Sequence, residues 1–101
     1  MPFKTKLTEL CGIEHPIVQG GMHYVGYPSL AAQVSNAGGL GIITALTIAQ
    51  PPRGAEALRD AIRECRRLTD KPFGVNITLL PVGVPPDYEG IVRVNIEEGV
   101  K

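Results

Sequence analysis

Tryptophan is absent from this sequence, and aromatic residues fill only 5% of its 101 positions. So few rings leave no stacking platform for nucleic-acid bases. An excess of charge is absent as well, because ten basic residues balance ten acidic ones. That balance gives no electrostatic reason to expect nucleic acid or an anionic membrane as partner. Cysteine is scarce. Cys11 and Cys65 stand alone, which makes neither a disulfide framework nor a metal-ligand spacing. Cys65 falls on the apolar side of a predicted helix, where a free thiol packs as a small hydrophobe. Residues Met1 to Leu10 hold no apolar run of the signal-peptide kind, so the expected compartment is the cytoplasm.

The sharpest absence is local. From His15 to Pro52 there is no Asp, Glu, Lys or Arg. Gln19, Gln33, Asn36, six glycines and three prolines besides Pro16 interrupt this stretch, so it is not a membrane span. An uncharged stretch of this length is expected to be buried or to line a ligand cavity.

What is present is punctuation between apolar runs. Thr5 to Gly12 reads as one or two helical turns, with Thr5 as N-cap and Gly12 as the left-handed stop. His15-Pro16 favours extended chain, and a first strand is expected at Pro16–Gln19. Pro28 suits a helix start, with Leu30, Ala31, Val34 and Ala37 at helical spacing and Asn36 to Gly39 as the stop. Leu40 to Thr44 is a continuous apolar run, the pattern of a strand buried on both faces. Pro51 to Gly54 breaks the chain.

From Ala55 to Thr69 the helical period is plain. Leu58, Ile62, Cys65 and Leu68 form a stripe, with Ala61 beside them. Glu64–Arg67 and Asp60–Arg63 are spaced as helical ion pairs, and the arginines of this segment read as a solvated face. Phe73 to Ile77 reads as a third strand and Leu79 to Pro86 as a loop. Asp87 to Glu98 reads as a helix with Ile91, Val92 and Ile96 on its apolar side and Gly99 as its stop. A fourth strand would be expected to begin where the chain ends, at Lys101.

Strand and helix thus alternate three times. Strands joined by helices are parallel, with right-handed crossovers, and the fold class is α/β. An open doubly wound sheet and a piece of a (β/α)8 barrel both satisfy this pattern. No Gly-x-Gly-x-x-Gly follows the first strand, which weighs against dinucleotide binding on an open sheet. Three units cannot close a barrel, which needs eight strands and about 250 residues. A bare apolar inner face is therefore expected, to be covered by the remainder of a barrel or by another copy.

Parallel α/β folds bind ligands at the carboxyl ends of their strands. The loops there are Gly20–Gly26, Ala45–Pro52 and Thr78–Pro86, and the strand ends carry Gln19, Thr44 and Asn76. Gln19-Gly20-Gly21-Met22 joins a polar side chain to glycines that let backbone approach a ligand. The amides of Gln19 and Asn76 both donate and accept, which suits a planar heterocycle or a structural bond to a neighbouring loop. His23 is a substrate-side candidate or a bystander. His15 lies at the amino end of strand one, away from any such site. No metal-ligand cluster, Ser/His/Asp set or phosphate-cradling loop is present.

His15 to Met22, Leu30 to Gly41 and Thr69 to Leu80 together resemble the N-terminal part of the nitronate monooxygenase family, formerly 2-nitropropane dioxygenase. Gln-Gly-Gly-Met-x-x-Val-Gly, followed by Ala45-Leu46-Thr47, is most similar to the bacterial branch that includes NADH:quinone reductases. The resemblance implies three consecutive βα units, residues 1–101, of one TIM-barrel domain that binds FMN noncovalently. It implies electron transfer from a nitronate or NAD(P)H to oxygen or a quinone. By position, Gln19, Gly20, Gly21 and Met22 would contact the isoalloxazine ring, and Asn76 would hydrogen-bond it. The family's catalytic histidine and phosphate loops lie outside this sequence, so the resemblance implies that the chain alone is inactive. A flavin-dependent enoyl-carrier-protein reductase shares the Gln-Gly-Gly-Met opening. A non-catalytic, self-associating partial barrel is the alternative of another class.

Overall fold

The computed structural model describes residues 4–79 and 87–100. The first helix, α1 (Lys6–Cys11), starts where Thr5 dictates. The Thr5 hydroxyl accepts from the Thr8 N–H at 3.1 Å, and the Thr8 hydroxyl accepts from the Thr5 N–H at 2.8 Å. Each threonine thus satisfies a backbone donor that a helix start leaves open. Gly12 ends the helix at φ 69°, a left-handed conformation that favours glycine.

The expected first strand is reduced to a single parallel bridge, Val18 to Leu40. The Leu40 N–H donates to Ile17 O at 2.9 Å, and the Gln19 N–H donates to Leu40 O at 3.0 Å. The next rung is made by a side chain: the Ile42 N–H donates to Gln19 Oε1 at 3.0 Å. Once the carboxamide takes the place of the backbone carbonyl, the main chain is free to leave the sheet at Gly20.

Helix α2 (Pro28–Asn36) returns the chain to strand β1 (Gly41–Thr44). It buries Ala31, Ala32 and Ser35, so of the expected Leu30, Ala31, Val34 and Ala37 face, Ala31 is buried, Leu30 and Val34 are half-buried and Ala37 is exposed. Gly41 explains the phase. A Cβ there would collide with the backbone of Ala31, so this helix packs on the strand backbone to backbone, and small residues face inward. Ser35 completes the joint. Its hydroxyl donates to Pro72 O at 2.8 Å and accepts from the Gly41 N–H at 3.0 Å.

A short helix, α3 (Ala45–Ile48), occupies the first part of the expected Ala45–Pro52 loop. Helix α4 (Ala55–Leu68) then crosses to strand β2 (Phe73–Asn76), which pairs with β1 in parallel. The register aligns Gly41 with Phe73, Ile43 with Val75 and Thr44 with Asn76. The last described helix is α5 (Tyr88–Glu97), capped by Asp87 Oδ1 accepting from the Gly90 N–H at 3.0 Å. The loop expected at Leu79–Pro86 lies outside the described residues except for Leu79.

Ile43, Leu58, Ile62, Cys65 and Ile91 are fully buried; α2 packs on the sheet, and α4 packs on α2, α3 and α5. Each such side chain contributes about 1.5–3 kcal/mol by leaving water. Burial pushes the Cys65 thiol up to about 11. Leu68 departs from the expected stripe: it is 44% exposed at the C-terminus of α4. On α5 the buried residues are Ile91 and Val94, whereas Val92 and Ile96 are exposed. Spacing alone could not tell which pair α4 would cover.

The arginines of α4 are not simply solvated. Arg59 Nη1 and Arg63 Nε donate to the Glu98 carboxylate at 3.0 and 3.1 Å, and Arg66 reaches the same carboxylate. The Glu98 side chain is only 10% exposed. Hydrogen bonding from Arg63 and Arg59, against the opposing cost of burial, holds its carboxyl below the ordinary range. The Glu64–Arg67 pair forms. The expected Asp60–Arg63 pair does not, because Asp60 binds Arg53 at 2.6 Å and Arg63 turns to Glu98.

Candidate functional site

The other face of the sheet carries Val18, Leu40, Ile42, Thr44, Gly74 and Asn76, by alternation along the strands. Its carboxyl end gathers most of the residues singled out in the sequence. Thr44 and Asn76 are register partners there. A Cβ on Gly21 would lie 2.5 Å from Asn76 Cγ and 2.6 Å from its Oδ1. The loop after residue 19 therefore lies directly against Asn76, and only glycine permits that approach. At Gly20 a Cβ would meet nothing within 4 Å. The two glycines have different duties: Gly21 closes onto the protein and Gly20 opens onto free space.

The amides divide in the same way. Gln19 Oε1 is committed to the Ile42 N–H, while Gln19 Nε2 is buried without a partner among the described residues. A buried amide donor left unmet is uncommon. Asn76 Oδ1 accepts from the Thr78 hydroxyl at 3.1 Å, and its Nδ2 donors have no partner among the described residues. Both amides thus spend their oxygens on the protein and keep their N–H groups.

Two threonines hold the loop in place. Thr44 Oγ1 accepts from the Met22 N–H at 2.9 Å, and the Thr44 N–H donates to Gly26 O at 2.8 Å. Thr47, on α3, accepts from the Tyr24 N–H at 3.0 Å and lies 2.7 Å from His23 Nδ1. Positions three apart share a helical face, so the turn of α3 aims both hydroxyls at one loop. Tyr24 sits at φ 60°, an uncommon conformation for a non-glycine residue. The His23 and Tyr24 rings are stacked, with centroids 3.8 Å apart and planes tilted by 37°. Sequence reading marked Thr44 as a strand end and quoted Thr47 only within Ala45-Leu46-Thr47, with no role of its own; its signal was the Thr-x-x-Thr spacing across the end of the strand.

His15 lies elsewhere. Its N–H donates to Gly38 O at 2.9 Å, at the amino end of the sheet. Among the described residues no group of three or more His, Cys, Asp or Glu side chains could hold a metal ion. No described helix is long and apolar enough to cross a membrane. The uncharged stretch is only partly enclosed: Ile17, Val18, Met22, Tyr24 and Val25 are exposed.

Comparison with known proteins identifies the family. The nitronate monooxygenase family model matches residues 4–101. A nitronate monooxygenase of Pseudomonas aeruginosa is 53% identical over 72 residues, which cover 71% of this chain and 19% of that protein. A 5-hydroxy-7a-methyl-1-oxo-octahydro-1H-indene-4-carboxyl-CoA dehydrogenase of Rhodococcus jostii is 42% identical over 93 residues, 92% of this chain and 25% of its own. Among solved structures, FabK from Thermotoga maritima superposes with TM-score 0.79 at 49% identity, covering 97% of this chain and 29% of that one. A nitroalkane oxidase from Streptomyces ansochromogenes superposes with TM-score 0.71 at 28% identity, covering 95% and 34% respectively. The chain spans about a quarter of the length of the first two curated relatives, 25% and 26%.

Proposed function

The chain belongs to the nitronate monooxygenase family, and from that premise we propose that it supplies one wall of an FMN site in a barrel oxidoreductase. The relatives bear the names of a monooxygenase, an oxidase and a dehydrogenase, all oxidoreductases. The observation that carries the reading is the convergence of Gly21 on Asn76, with an unspent amide N–H on Asn76, a buried unspent one on Gln19, and open space where a Cβ on Gly20 would stand. The polar edge of a flavin ring is lined with carbonyl oxygens and ring nitrogens that accept hydrogen bonds, so a donor-rich strand end fits it.

In this reading the backbone of Gln19 to Met22 lies along the ring, Asn76 donates to it, and His23 stands on the substrate side. When bound, FMN supplies reversible acceptance of electrons from a nitronate or NAD(P)H, for delivery to oxygen or a quinone. The protein's own part is to orient the ring, to tune it through amide donors and to keep water from its apolar side. Nothing in the uncharged stretch neutralises a phosphate, so that group must be held elsewhere. The chain alone is accordingly a weak FMN binder without turnover.

An FMN titration of the 15N-labelled chain tests this. Saturable shifts confined to Gln19–Met22 and Asn76, with flavin lost on desalting and no bleaching by propane-2-nitronate, are expected. Absence of any shift at those residues overturns the flavin site. Stoichiometric retention of FMN on desalting overturns the single-wall reading.

A further inference from the structure

His23 is exposed, but it is not free. Its Nδ1 lies 2.7 Å from Thr47 Oγ1, and that oxygen already accepts the Tyr24 N–H at 3.0 Å. A threonine hydroxyl has two acceptor lone pairs and one proton. Among the described residues His23 Nδ1 is the one acceptor within reach of that proton. If Nδ1 carried a hydrogen, two donors would converge on Oγ1, and the proton of a hydroxyl on a buried residue would have no acceptor, a cost avoided in well-formed structures. Donation from Thr47 to Nδ1 satisfies every group. The imidazole proton then resides on Nε2.

We propose that Thr47 is a positioning residue that fixes His23 as the Nε2–H tautomer, so that His23 offers a hydrogen-bond donor to an oxyanion of the substrate. The inference rests on the reading of this strand end as the substrate side of a flavin site. Three features make the pair a device rather than a chance contact. Thr47 is buried in α3, immediately after β1, so its hydroxyl is anchored to the sheet. The same hydroxyl fixes the backbone of the next residue, Tyr24, at positive φ. The Tyr24 ring lies against the imidazole, with centroids 3.8 Å apart and planes tilted by 37°. A nitronate carries its negative charge on the two oxygens of the nitro group. It suits a donor and is repelled by the lone pair that the other tautomer would present.

Long-range 15N–1H correlation spectra of the imidazole in the 101-residue chain test the tautomer without flavin. The expected spectrum shows an unprotonated Nδ1 and a protonated Nε2 for His23. Thr47→Val should let the Nδ1–H form appear, relaxing the ring to the mixture of a free imidazole in which Nε2–H is only the major form, and Thr47→Ser, which keeps the hydroxyl, should restore the single tautomer. A protonated Nδ1 in the neutral wild-type ring, or an unchanged tautomer in Thr47→Val, overturns the proposal. The substrate part is read by titrating the same samples with propane-2-nitronate. The His23 Nε2 resonance should shift saturably, with affinity lowered on the order of tenfold in Thr47→Val. No shift in the wild type overturns the oxyanion assignment. Circular dichroism melting of each variant separates misfolding from loss of the contact. If FMN fails to bind but the tautomer result holds, the flavin reading fails and the positioning role stands.

Discussion

Gly20 and Gly21 are adjacent in sequence and make opposite predictions. At Gly21 an added methyl would lie 2.5 Å from Asn76 Cγ, 2.6 Å from Oδ1 and 2.9 Å from Cβ. Swinging the carboxamide aside relieves the first two overlaps and breaks the 3.1 Å hydrogen bond from Thr78, a loss of about 0.5–1.5 kcal/mol. The overlap with Asn76 Cβ is not relieved by side-chain rotation, so backbone must move, and overpacking of this kind costs about 1–3 kcal/mol. Gly21→Ala should therefore destabilise the chain by about 2–4 kcal/mol. In a domain of this size each kcal/mol lowers Tm by about 4–8 °C. At Gly20 the methyl meets nothing within 4 Å, and the change should stay within about 0.5 kcal/mol. Urea unfolding of the two variants side by side is the assay. Equal midpoints for Gly20→Ala and Gly21→Ala would refute the assignment of separate duties. The FMN titration then adds a second contrast. Gly20→Ala should remain folded and lose the flavin-dependent shifts, because its methyl occupies the open space.

Two further perturbations probe what holds the site in place. Ser35→Ala leaves the Gly41 N–H and Pro72 carbonyl without their partner; with about 1–3 kcal/mol for each unmet group, a loss of about 2–4 kcal/mol in urea unfolding is expected, and a loss below about 1 kcal/mol, the worth of one ordinary hydrogen bond, would show that the joint is not needed. Glu98 is held below the ordinary carboxylate range by Arg63 and Arg59, so its contribution to stability is present above the unfolded-state pKa and is lost as pH falls through the lower folded value. Urea midpoints measured on acidification should drop across that window in the wild type. Glu98→Gln should start lower at neutral pH and show a shallower acid decline, and parallel curves for the two proteins would contradict the ion cluster.

Much of this was legible along the chain. Thr5 and Gly12 bracket α1 because capping is decided by neighbours in sequence, and Gly99 closes the end of α5 at φ 67° for the same reason. The α4 stripe placed Leu58, Ile62 and Cys65 correctly, since a 3.6-residue period needs no knowledge of the partner. The α2 and α5 faces were read only in part, Ala31 and Ile91 correctly, because burial depends on what packs against a helix: Ala32, Ser35 and Val94 are inside, while Ala37, Val92 and Ile96 are exposed. The shortening of strand one to a bridge was invisible, because nothing local says that the Gln19 side chain will replace the next backbone rung.

The sequence by itself determined the alternation of strand and helix, the parallel sheet, and which residues stand at the strand ends, because periodicity and turn chemistry are local properties. Tertiary structure alone decided how those residues are used. It set Gly21 against Asn76 from 55 positions away, as the numbering of the pair gives. It also split each amide into a committed oxygen and an unspent N–H, and placed Thr47 under His23. Hydrogen-bond partners and steric closeness depend on distances between elements, and the register of β1 on β2 is what brings those elements together.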